Sequence, residues 1–151
     1  MSEETNPYII ERIKRETESE RLDKIVEKLK IKYKEEGIKE LIDMRQSLNF
    51  SKDFRQGKIT EEEHDQQADL YQCLWDVIKD KFDSKAIQIR DVYSIDNPVM
   101  YIRMAEDKGY YYWLNFEDPD GCLPFEIPKY LYKALLQFKS EYEDYINQEE
   151  Y

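Results

Sequence analysis

Several things are scarce in this sequence, and each scarcity closes off a chemistry. It holds one histidine, His64, and two cysteines, Cys73 and Cys122. A histidine-rich metal centre is therefore excluded, and any catalytic triad or Cys–His pair must use His64. The two cysteines show no metal-ligand spacing and no disulfide density. With no secretory leader at the start, the expectation is a reduced, cytoplasmic protein, in the host cytoplasm if a phage encodes it. Only four glycines are present, none clustered, so a glycine-rich phosphate loop is absent. Apolar runs are too short to span a bilayer. No internal repeat and no low-complexity segment is found.

What is abundant is charge and tyrosine. Of 151 residues, 38% are charged, and thirteen are Tyr, with six Phe and two Trp. Disordered chains are poor in aromatics, so this composition argues for a packed chain. The net charge of −11 is unevenly placed. Residues 1–60 carry 14 basic and 13 acidic side chains, whereas residues 61–151 carry 9 and 21. The second part is thus −12. Such a field repels nucleic acid and anionic membranes and attracts basic protein surfaces. The one basic strip lies between Arg12 and Lys34, with nine bases and five acids. Its ordinary use is a solvated helix face laced with i, i+4 ion pairs.

Periodicity divides the chain in two. Pro7 suits the first position of a helix. Leu22, Ile25, Val26 and Leu29 recur at helical spacing up to Gly37, which is a natural helix stop. Thr17 with Glu20 forms a possible capping box, so residues 7–35 are one helix or two. A second amphipathic helix is expected over 38–49, with a short turn around Phe54. Thr60 with Glu63 is a capping box for a third, from Glu61 to about Phe82. Its apolar stripe includes Tyr71, Leu74, Trp75, Ile78 and Phe82 and is broad enough for burial on two sides. From Ala86 the period changes to two. Strands are expected over 86–90, 99–104, 110–116 and 123–127, the last an edge because it contains Pro124. A final helix is expected over 130–146, with a loose acidic tail. The fold class is α+β: a helical N-terminal half of three helices, then a four-strand antiparallel meander and a C-terminal helix. One domain of residues 1–151 is expected, with a helical part 7–83 and an α/β part 86–147.

The candidate chemistries are few. Glu61, Asp65 and Asp69 neighbour His64 on one helix, which makes a metal-dependent enzyme centred on His64 one alternative. Asn115 to Gly121 resembles a calcium loop only superficially, because Pro119 and Asp120 fall where a ligand and a glycine are required. No cofactor is expected and no catalytic residue is assigned. The leading expectation is a small, acidic, non-enzymatic protein that binds a basic protein surface. Its most concrete form is an inhibitor from a phage or mobile element, anti-CRISPR or antirestriction-like, whose carboxylates stand in for phosphates on a nucleic-acid enzyme. The expected contacts are Asp91, Asp96, Glu106, Asp107, Glu117, Asp118, Asp120 and Glu126, with Tyr111 and Trp113 as aromatic anchors. An immunity or antitoxin-like protein capping a toxin is the alternative within the binding class. The state expected is a monomer, or a homodimer through the N-terminal helix.

Overall fold

A computed structural model of the chain describes residues 7–90, 101–115 and 122–149. Within them the order is α1 (Pro7–Lys32), α2 (Ile38–Gln46), α3 (Phe50–Arg55), α4 (Glu61–Lys85), β1 (Ile87–Arg90), β2 (Tyr101–Asp107), β3 (Tyr110–Asn115), β4 (Phe125–Ile127) and α5 (Lys129–Glu149). This is the α+β arrangement expected, with one short helix more. The expected turn around Phe54 is α3, and α5 continues to Glu149, through the start of the tail expected to be loose.

The chain forms two compact units. One holds the chain up to Glu36 with Glu40–Val77, and the other holds Gly37–Lys39 with everything from Ile78 onward. The division therefore falls inside α4, not at residues 83–86. The physical reason lies in the last turns of that helix, whose Phe82, Asp83 and Lys85 all have partners on β2.

In the helical unit, α1 runs without a break. Thr17 donates its hydroxyl to the Ile13 carbonyl at 2.8 Å, so it bonds back onto its own helix and does not cap a new one. Every residue from Ile10 to Glu20 is exposed, and the buried residues of α1 are Val26 and Leu29. Arg21 fastens the helix through two bonds to Asp69, at 2.7 and 3.1 Å. The start of α4 is the capping box expected. Glu63 N–H donates to Thr60 Oγ1 at 3.1 Å, and Thr60 N–H donates to Glu63 Oε1 at 3.2 Å. Gly57 has φ +71° and ends α3 in the left-handed region that glycine tolerates.

In the second unit the sheet order is β1-β2-β3-β4, antiparallel throughout. The register pairs Ile89 with Ile102, Met104 with Trp113, and Tyr111 with Ile127. Residues alternate across a strand, so these six share one face. There Ile89, Ile102, Met104 and Ile127 form a buried cluster with Tyr111 and Trp113 against Leu131, Tyr132, Leu135 and Leu136 of α5. The opposite face buries Ala105, Tyr112 and Leu114. Arg103 on that face sits 5.8 Å from the Phe82 ring centre and pairs with Asp83. Tyr111 and Trp113 pack under α5 and Tyr112 and Leu114 are buried on the other face, so the whole run Tyr111–Leu114 is committed to packing.

Candidate protein-binding surface

The tight end of the β2–β3 hairpin organises the surface. Asp107 pairs with Tyr110, and Lys108 and Gly109 turn the chain with φ of 49° and 86°. Positive φ at both central residues matches the right-handed twist of the flanking strands. Glu106 closes the turn by accepting the Gly109 N–H at 3.0 Å. Its carboxylate stays exposed, on the α5 side of the sheet. Beside it the Tyr111 and Tyr132 rings meet at 4.8 Å. Burial, with the charge of Glu106 and the neighbouring Tyr111, raises the Tyr132 phenol above its ordinary pKa.

On the other face the strand-end carboxylate turns inward. Asp107 is only 3% exposed. It accepts the Ile38 N–H at 2.7 Å, which satisfies a free donor at the start of α2, and it is paired with Lys85. Burial pushes its pKa up, but the Lys85 bond, the Ile38 N–H and the nearby Lys81 charge outweigh that and hold it below the usual carboxylate value. Gly37 makes room for this arrangement. A Cβ there would stand 3.0 Å from Asp107 Oδ2 and 3.1 Å from Lys108 Cδ. Gly37, read from the sequence as the stop of the first helix, lies beyond its end at Lys32 and lacks positive φ, and its small size is what the position uses.

Beyond Asp107 the same end displays Tyr110, which is 40% exposed. Lys39 lies 4.5 Å from its ring centre and reaches Glu126 on β4 at 3.5 Å. On β4, Phe125 is 59% exposed. Tyr110 and Glu126 lie on this face, whereas Phe125 and Glu106 lie on the α5 face, so each face carries one exposed aromatic and one exposed carboxylate.

The expected contacts thus divide into three groups. Glu106 and Glu126 are exposed and lie in this region. Asp107, Tyr111 and Trp113 are turned to internal work, the first as a buried helix-capping carboxylate and the other two under α5. Asp91, Asp96, Glu117, Asp118 and Asp120 lie outside the described residues. Tyr110 and Phe125, neither among the expected contacts, are aromatics displayed on the strands. The signal for Phe125 was available, because an edge strand between Pro124 and Pro128 has only one neighbour to cover it.

The other candidate chemistry is centred on His64. Its Nδ1 lies 3.1 Å from Asp65 Oδ1, and its ring packs on Phe50 and Phe54 at 5.3 and 5.0 Å. Among the described residues, no group of three or more His, Cys, Asp or Glu side chains is arranged to hold a metal ion. Cys73 is buried, and its thiol is within 3.7 Å of the Leu22 carbonyl. Burial, reinforced by the charges of Asp69 and Asp76, raises its pKa and keeps it protonated.

Also among the described residues, no helix is long and apolar enough to cross a membrane. No protein-family model matches the chain, and no curated protein and no solved structure matches it.

Proposed function

We propose that this protein is a non-enzymatic binding protein that engages a basic surface of another protein through the hairpin end of its sheet. The observation that carries the reading is that each face of the sheet carries an exposed aromatic and an exposed carboxylate, Tyr110 and Glu126 on one and Phe125 and Glu106 on the other, on the part of the chain that carries −12. Aromatic anchors supply apolar contact area, while carboxylates select a cationic partner and speed encounter with it. The most concrete form is an inhibitor from a phage or mobile element. It occupies the nucleic-acid-binding groove of a processing enzyme and excludes the substrate by steric and electrostatic means.

The test begins with affinity capture of the tagged full chain from its native host and identification of the bound protein by mass spectrometry. For that complex, Kd should rise at least tenfold between 50 and 500 mM NaCl, because exposed charge pairs are screened over this range. Phe125→Ala and the pair Glu106→Gln with Glu126→Gln should each weaken it by about tenfold. A complex indifferent to salt and to these variants refutes the reading.

A further inference from the structure

The helical unit carries a cation-lined cleft that the acidic surface does not use. Its volume is about 470 Å³, and Gln46, Asn49, Ser51, Lys52 and Arg55 line it together with the half-buried rings of Phe50 and Tyr71. No acidic side chain lines it, in a chain of net charge −11. Arg55 donates Nε to the Ser51 carbonyl at 3.3 Å, which steadies the guanidinium and leaves both terminal nitrogens for another acceptor. Arg45, outside the lining, adds a positive charge held on Tyr71. Its guanidinium lies 3.7 Å from the Tyr71 ring centre, and its Nε donates to the Tyr71 carbonyl at 3.0 Å.

We propose that this cleft binds a mononucleotide. Lys52, the free end of Arg55 and the Ser51 hydroxyl form a donor set for a phosphate, with the charge-assisted bonds that phosphate oxygens accept best. Gln46 and Asn49 each present an amide donor and an amide acceptor, the pairing that the edge of a nucleobase requires. The aromatic wall offers apolar contact for the base, and the volume lies in the range of small-ligand sites. A single nucleotide is the ligand of choice over a polymer. A polyanion meets the repulsion of the whole chain, whereas one phosphate feels mainly the cations within a Debye length.

The test is NMR titration of the isotope-labelled full chain with AMP, UMP, adenosine and inorganic phosphate. AMP or UMP should shift the amides around Ser51, Lys52 and Tyr71 and saturate below 1 mM, while adenosine and phosphate each bind at least tenfold more weakly. Lys52→Glu and Arg55→Glu should each weaken nucleotide binding at least tenfold at unchanged Tm. Lys14→Glu makes the same charge change on exposed α1 and should leave binding unaltered. Absence of saturable shifts at the cleft up to 5 mM nucleotide overturns the proposal. So does an equal loss with Lys14→Glu, which would mark a non-specific charge effect. Phosphate binding as tightly as the nucleotide overturns the assignment to a nucleotide and leaves an anion site.

Discussion

Asp107 ties together three elements of the second unit. At 3% exposure it joins the end of β2, the first turn of α2 and the last turn of α4 through the Ile38 N–H and Lys85. Removing the carboxylate strands an N–H donor and a half-exposed ammonium. Asp107→Ala is therefore expected to cost about 2–3 kcal/mol, measured by urea unfolding, with half-exposed Lys85 setting the lower end of the usual range for a broken pair. The pH dependence has a definite sign. A carboxyl with its folded pKa held below the unfolded value stabilises the fold above the unfolded pKa and loses that stabilisation as pH falls through the folded one. Stability should thus decline below about pH 4, the ordinary carboxyl value, and Asp107→Asn should flatten part of that acid limb. An unchanged acid limb in the Asn variant would show that other carboxylates govern it. Nothing around position 107 in the sequence distinguishes this aspartate from Glu106. The two differ because they point to opposite faces of one strand, and one face meets Ile38 and Lys85.

At the scale of elements, local signals predicted starts and stops well where they compete with nothing. Thr60 and Glu63 cap α4 reciprocally, so Thr60→Ala should lower stability by about 1 kcal/mol. Thermal unfolding checks this, and a change near zero would mean that packing of the later turns alone fixes the start of α4. Thr17 and Glu20 carry the same pattern without forming a cap. A capping box requires the chain to leave helical geometry at its first residue, and nothing in the exposed stretch from Ile10 to Glu20 pulls it out. Propagating an existing helix by one residue costs far less than starting a new one, so the hydroxyl settles on the Ile13 carbonyl. Strand positions came from the change of period at Ala86, and the edge position of β4 from Pro124. The exact turn was less legible: β2 runs on to Asp107, and Lys108 with Gly109 makes the turn. Residues 106–108 look like a polar loop because two of their charged side chains serve the turn and the helix cap.

For the whole molecule, net charge competes with specific ion pairs. A charge of −11 on 151 residues favours expansion, and added salt relieves it. The pairs Arg21–Asp69, Arg103–Asp83 and Lys85–Asp107 favour the fold, and salt weakens them. The Arg21–Asp69 pair is partly exposed and worth little in high dielectric, while Lys85–Asp107 and Arg103–Asp83 each have a buried or half-buried partner and are screened less by salt. The repulsion should win, and Tm should rise by roughly 3–5 °C between 10 and 300 mM NaCl at pH 7. A fall in Tm would assign the larger share to the pairs.

The sequence by itself determined the class of architecture, because hydrophobic period and capping residues act over a few neighbours and need no tertiary partner. It also determined the uneven charge and the scarcity of histidine, cysteine and glycine that narrows the chemistry. Tertiary structure decided which residues are available for that chemistry. Tyr111 and Trp113 look like anchors in a run of aromatics, yet α5 covers them. Tyr110 and Phe125 stay exposed because the hairpin end and the edge strand have fewer neighbours to bury them. Local pattern assigns a residue to a face of a strand. Only tertiary packing on the sheet settles which side chains remain for a partner.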